Sequence, residues 1–198
     1  LLAFSDVMRL NIGEENLIEQ SMESLEKALQ LDTRDSIVLG YTGCALCDMG
    51  QHQRGLDLLE QAVENDPSNA QAWAAYGAGF LVAGRVSDSI EKLKYGIRIS
   101  PLDGRLAFWG TVLAFALFQV GKPDEAAGEA RRACRRDDKL PWPRILLAII
   151  FASQGLQDAA VDAMAKARRI YPKLRAEKIQ PMIGSHGVKI LQEAGLLD

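Results

Sequence analysis

The sequence predicts an all-α protein built from about five helix pairs and closed by a short helical tail. Three observations carry this. Glycines recur at Gly50, Gly84, Gly121 and Gly155, at spacings of 34, 37 and 34 residues. Aligning the chain on these glycines brings other positions into columns of one residue character. Uncharged stretches also alternate with charged ones at the same period. A fixed period of this length marks a stack of supersecondary units, each too small to bury its apolar face alone.

The columns have a direct physical reading. Seven residues before each glycine stand Gly43, Gly77, Ala114 and Ala148, all small. Four before stand Leu46, Phe80, Leu117 and Phe151, all large and apolar; twelve after stand Ala62, Gly96, Ala133 and Ala167, again small. Two helices packed antiparallel across a glycine turn need small residues where their backbones approach and large ones beside them. Pro67, Pro101 and Pro172 stand seventeen residues after their glycines, with Asp138 in the remaining unit. A proline there ends the second helix, since it cannot continue one and biases the preceding residue away from helical dihedrals. The expected helices are 2–11 and 16–31, 36–49 and 53–65, 70–83 and 87–99, 106–120 and 124–136, and 141–154 and 158–170. Residues 173–198 hold one or two more, with Ser185 a candidate cap and Gly195 a candidate stop.

The columns resemble the tetratricopeptide repeat, a helix–turn–helix unit of 34 residues. The segment "AQAWAAYGAGFLVAGRVSDSIEKLKYGIRISP" carries the likeness most fully, with Trp73, Tyr76, Gly77, Phe80, Gly84, Ser89, Leu93, Gly96 and Pro101 in the family's positions. The unit at 107–138 departs from it, with Gly110 in the tryptophan column and three extra residues in the preceding loop "PLDGRL". The resemblance implies a right-handed superhelix of about five units, at 1–33, 36–67, 70–101, 107–138 and 141–172, with 173–198 as a tail or cap. More loosely, the array is similar to the C-terminal repeats of bacterial class III nucleotidyl cyclases and related winged-helix regulators. "ISPLDGRLAFW", "GKPDEAAGEARRA" and "ILQEAGLLD" carry that likeness. The chain opens on Leu1 within an apolar run, which reads as a piece of a longer bacterial signalling protein. No cyclase metal aspartates or winged-helix features are matched, so neither activity is carried over.

In this family the first helix of each pair lines a concave groove. Here Ser36–Cys47, Pro67–Gly84, Leu106–Gly121 and Ile145–Gln157 contain no Asp, Glu, Lys or Arg. The register places Ile37, Tyr41, Cys44 and Cys47 in the groove, then Gln71, Ala74, Ala78 and Leu81. Phe108, Thr111, Phe115 and Phe118 follow, and finally Trp142, Ile145 and Ile149. The Lys, Arg and Asn of carboxylate-binding relatives are missing. The expectation is an apolar groove that holds a helix: the chain's own tail, a second copy, or a partner protein. The other possibility is that the superhelix buries these residues between its own helices.

Composition narrows the chemistry. The hydrophobic fraction is 48% and the net charge −3, which excludes a disordered chain and gives no global attraction to nucleic acid or membrane. Residues 1–99 carry 15 acids and 8 bases, and residues 100–198 carry 11 and 15, a polarity able to orient neighbouring copies. The uncharged run 106–121 is shorter than the ~20 residues a membrane span requires. Cys44, Cys47 and Cys134 are too few and odd in number for a disulfide framework, which points to a reducing, cytoplasmic compartment. Cys44 and Cys47 form a C-x-x-C with His52 nearby. Zinc needs four converging ligands, and the remaining His186 and Cys134 lie far along the chain. A redox pair sits at a helix N-terminus, whereas this one lies late in its helix. The arginines of "RRACRRDDK", 131–139, read as a solvated helix face. No Ser/His/Asp set and no nucleotide loop can be assembled. The sequence therefore predicts a non-catalytic interaction module without metal or cofactor.

Overall fold

The computed structural model describes residues 17–31 and 34–198. Among them every regular element is an α-helix: α1 (Leu17–Leu31), α2 (Ser36–Asp48), α3 (His52–Asn65), α4 (Ala70–Val82), α5 (Val86–Ile99), α6 (Leu106–Gln119), α7 (Pro123–Arg136), α8 (Trp142–Ser153), α9 (Gln157–Ile170) and α10 (Ala176–Glu193). The helix expected at 2–11 lies outside the described residues. The helices fall into two compact units, Leu1–Pro101 with α1–α5 and Leu102–Asp198 with α6–α10.

One turn is used four times. Gly50, Gly84, Gly121 and Gly155 have φ of 84°, 78°, 73° and 73°, the left-handed conformation that L side chains resist. The residue after each glycine returns its N–H to the carbonyl of Leu46, Phe80, Leu117 or Phe151, at 2.8–3.0 Å. The glycine N–H bonds the carbonyl of Cys47, Leu81, Phe118 or Ala152, at 3.0 Å in each case. This pair of bonds is the Schellman motif, which satisfies carbonyls a helix end leaves open. The large apolar column four residues before each glycine thus serves twice, as core side chain and as terminal acceptor. Asp35 caps α2 through Ile37 N–H at 2.7 Å, and Asn69 caps α4 through Ala72 N–H at 3.1 Å.

The pairs α2–α3, α4–α5, α6–α7 and α8–α9 pack against each other across these turns. In the first unit the approach is very close. A Cβ on Gly77 would meet Leu93 Cγ at 2.6 Å, Leu93 N at 2.9 Å and Ser89 O at 3.0 Å. A Cβ on Gly43 would meet Gly55 O and Leu59 Cγ, both at 2.7 Å. Leu59 and Leu93 are in consequence fully buried. In the second unit alanine fills these columns, with Ala114, Ala126, Ala133, Ala148, Ala160 and Ala167 inaccessible to solvent.

In the first unit α4 also packs on α2 and α3; in the second, α8 packs on α6 and α7. Ser36 ties three helices together in the first. Its Oγ donates to Ala62 O at 2.7 Å and accepts from Asn69 Nδ2 at 2.8 Å. In the loop "PLDGRL", Arg105 pairs with Asp103 at 2.7 Å and lies over the Trp109 ring at 5.1 Å.

The tail is helical, within the expected one or two segments. α10 is one helical run broken at Gly184 (φ 69°, ψ 169°), with Pro181 three residues earlier. Ser185 accepts a hydrogen bond from Gln180 Nε2 at 3.3 Å. Gly195 (φ 67°) stops the helix as expected, with Leu196 N–H bonding Leu191 O at 2.8 Å.

Two substitutions test this packing. Gly77→Ala places a methyl group against backbone as well as Leu93, so chemical denaturation should show a loss of about 1–3 kcal/mol. That loss is expected despite alanine's helix-propensity advantage of roughly 1 kcal/mol. Ser89 Oγ is buried and has no hydrogen-bond partner, while Ala126 and Ala160 hold the same column. Ser89→Ala should therefore stabilise by about 1 kcal/mol, as a desolvated hydroxyl is removed without opening a void. A loss of stability would show that the hydroxyl is satisfied.

Candidate partner-binding faces

Each unit presents its first helices differently. In the first unit α2 carries Ile37 and Tyr41, 57% and 52% exposed and one turn apart. Cys44 continues the stripe, half-buried. On α4, Gln71, Ala78 and Leu81 are half-buried. The Gln71 side-chain oxygen is buried without a hydrogen-bond partner.

Two residues assigned to this face by register are elsewhere. Cys47 is fully buried in the contact between helices. Its Sγ lies where a Cβ on Gly55 would be 2.5 Å away and one on Gly79 3.1 Å away, and it donates to His52 O at 3.8 Å. Ala74 is buried where α5 comes down on α4 through Gly96, whose Cβ would meet Ala74 N at 3.1 Å. Both serve helix pairing. Trp73 points toward α5: it tilts against Tyr95 with ring centroids 4.6 Å apart and donates from Nε1 to Pro67 O at 2.9 Å.

In the second unit Phe108, Phe115 and Phe118 are half-buried along α6. Thr111 is buried and returns its hydroxyl to Ala107 O at 2.7 Å, so it offers nothing to a ligand. Trp142, Ile145 and Ile149, expected to line a groove, are buried as well. The tail accounts for this at Ile149: α10 packs on α8, and a Cβ on Gly187 would lie 3.3 Å from Ile149 Cδ1. Repeat columns do not reach Gly187. Its signal in the sequence is the four-residue spacing of Ile183, Gly187 and Leu191.

The thiols are chemically quiet. Burial, with the neighbouring Asp48 carboxylate second, raises the Cys44 thiol far above its ordinary range and pushes Cys47 up to about 12. Burial raises Cys134 too. Among the described residues no group of three or more His, Cys, Asp or Glu could hold a metal ion. In the arginine cluster, Arg132 pairs with Glu129 and Arg131 lies over the Phe151 ring at 5.4 Å, while Arg135 and Arg136 are exposed. No described helix is long and apolar enough to cross a membrane.

The tetratricopeptide repeat family model matches residues 42–103 and 111–174, well over half of the chain. The chain belongs to the tetratricopeptide repeat (TPR) family. The small glutamine-rich TPR-containing protein 2 of Mycosarcoma maydis is 25% identical over 81 residues, 41% of this TPR chain but only 23% of that protein's length. Among solved structures, TTC0263, a thermophilic TPR protein of Thermus thermophilus, superposes with a TM-score of 0.72 at 19% identity, covering 92% of both chains. YrrB, a TPR protein with an unusual peptide-binding site, gives 0.60 at 18% identity, covering 86% of this chain and 90% of its own. These likenesses establish the helix-pair fold. TPR proteins are in general protein–protein interaction modules.

Asp48, at the end of α2, gives a pH signature. Burial raises its carboxyl to about 6, and the carbonyl end of a helix also disfavours a negative charge. The folded state then binds its proton more tightly than the unfolded chain. Stability from this group is present below pH ~4 and lost as the pH rises to about 6. Asp48→Asn should therefore stabilise at pH 7 by on the order of 1–2 kcal/mol, allowing for partial exposure, and change little at pH 4. Denaturation curves at both pH values provide the check.

Proposed function

We propose that this chain is a non-catalytic TPR interaction module whose apolar, nearly uncharged first helices hold an apolar helix of a protein partner. One observation carries the reading. The first helices α4 and α6 carry no charge, and α2 and α8 only one each, at Asp48 and Arg144 near their ends, yet they keep Ile37 and Tyr41 exposed and Phe108, Phe115 and Phe118 half-exposed, while most charge lies on second helices and turns. Exposed apolar stripes mark interaction sites more than isolated surface residues do. The Gln71 oxygen adds a polar anchor, since buried acceptors are normally hydrogen-bonded and an incoming N–H or O–H would satisfy it. The peptide-binding site of YrrB is a precedent within the same fold. The resemblance to cyclase and winged-helix C-terminal arrays supports a place within a larger bacterial regulatory protein of the cytoplasm.

A second reading rests on the charge polarity. The first 99 residues are net acidic and the last 99 net basic, which favours an adaptor or scaffold acting by self-association. A metal or redox role for Cys44 and Cys47 has the least support, given their raised thiols.

Photo-crosslinking separates these readings. A benzophenone amino acid at Tyr41 or Phe115 should capture a partner in the producing cell, and the same probe at Glu60 or Arg135 should not. Ile37→Glu should weaken capture at the Tyr41 probe at least tenfold, by placing a charge one turn along the same stripe. Equal labelling from all four positions would overturn the proposal, and self-crosslinks alone would favour the scaffold.

A further inference from the structure

The first unit has a second recessed surface, turned away from Gln71. Trp73 stands two residues beyond Gln71 on α4, about 200° further round the helix. A shallow cavity of about 530 Å³ opens there, lined by Trp73 and by Glu91, Lys92, Lys94, Tyr95 and Arg98 of α5. Its aromatic part is the Trp73–Tyr95 pair, both half-buried, with ring centroids 4.6 Å apart. Cations flank the rings: Lys92 Nζ lies 5.6 Å from the Trp73 centroid and Arg98 Cζ 5.0 Å from that of Tyr95. The indole N–H is committed to Pro67 O, so Trp73 offers the cavity its ring and not a donor.

Helix pairing does not require this combination. The repeat column of Trp73 holds Leu39, Gly110 and Arg144 in the other units, and that of Tyr95 holds Gln61, Arg132 and Lys166. Those units pair their helices with no aromatic ring at either place. The charge is equally local. Residues 1–99 carry 15 acids and 8 bases, yet three of those bases, Lys92, Lys94 and Arg98, line this one cavity. On α3 the columns of Glu91, Lys94 and Arg98 hold Asp57, Glu60 and Glu64. Glu91 pairs with Lys92 at 3.0 Å, so three cations against one carboxylate leave the lining two positive charges in excess. The cavity is thus a cationic, aromatic island on an acidic unit, and it attracts anions that the rest of the unit repels.

We infer that this cavity docks an acidic peptide segment of a protein partner, whose carboxylates meet Lys94 and Arg98 and whose aromatic side chain lies on Trp73 and Tyr95. The complementary charge selects an anion, and the half-open rings select a ligand with an aromatic group to stack or tilt against them. The spread of the cations selects a chain. Lys92 to Arg98 is six residues of helix, a rise of about 9 Å. Roughly three residues of extended peptide cover that length, so carboxylates set along a segment reach both ends, whereas one compact anion reaches only one. The site does not use the stripe of Ile37 and Tyr41, and it stands independently of the reading of the first helices.

The test uses the full chain and a fluorescein-labelled peptide, Glu-Asp-Phe-Glu-Asp, followed by fluorescence anisotropy at low ionic strength. The parent chain should bind it saturably. The double variant Lys94→Ala/Arg98→Ala alters two exposed side chains, and it should bind roughly tenfold more weakly. Arg135→Ala/Arg136→Ala removes the same charge from α7 and should bind as the parent does. A peptide with serine in place of phenylalanine should also bind roughly tenfold more weakly. Absence of saturable binding by the parent would overturn the inference, as would an unchanged affinity of the Lys94/Arg98 variant or of the serine peptide. An equal loss in the Arg135/Arg136 variant would overturn it too, by reducing the effect to general charge attraction. So would displacement by inorganic phosphate beyond that by chloride at equal ionic strength, by assigning the cavity to a compact anion. Ile37→Glu should leave the affinity unchanged, so failure at this cavity and failure at the apolar stripe are seen separately.

Discussion

The rest of the structure depends on how closely the two helices of a pair can approach. In the first unit Gly43 and Gly77 have no side chain because there is no room for one: the facing helix's backbone lies within 3 Å of where a Cβ would stand. That contact places Leu59 and Leu93 in full burial beside the glycines. It also sets the Schellman turn, since a pair this close can be joined only by a chain reversal of a few residues, which the left-handed glycine provides. The second unit reaches the same arrangement with alanine in these columns.

A second consequence concerns charge. Each interior first helix packs on its own partner and on neighbouring helices, α4 on α2, α3 and α5, and α8 on α6, α7 and α9. Burying an unpaired charge there would cost several kcal/mol, so α4 has none, α8 has only Arg144 in its first turn, and charge collects on the second helices and turns. Absence of charge is therefore produced by packing as well as by ligand binding. It cannot by itself mark a groove. The faces that remain open are those where an apolar residue is exposed despite this pressure, as at Ile37 and Tyr41, or only partly covered, as along α6.

This explains what was legible in the sequence. The period, the turn glycines, the close-packing columns and the described helix boundaries follow from one-dimensional spacing, because turn chemistry and helix pairing are local. Facing is less local. Cys47 and Ala74 share a periodic register with open positions, yet they lie at the seam between helices. A register resolves orientation only to about one residue's rotation, roughly 100°. The burial of Ile149 depends on a segment more than 30 residues later, whose Gly187 fits against it. Repeat spacing carries no information about such a docked tail.

The cysteine pair shows the same limit in chemical terms. C-x-x-C on a helix brings two sulfurs within one turn of each other, but a metal site also needs convergence from other elements and a field that favours thiolate. Here Cys47 is enclosed by helix backbone at Gly55 and Gly79, and Asp48 adds negative charge beside both thiols. Every feature that makes the site good for packing makes it poor for ionised sulfur: low polarity, closeness and a nearby carboxylate. Cys47 then acts as a small, polarizable side chain, soft enough to fill the space two glycines leave between three helices. The spacing that suggests a ligand set is, in this fold, a consequence of two adjacent turns of one helix both facing apolar surroundings.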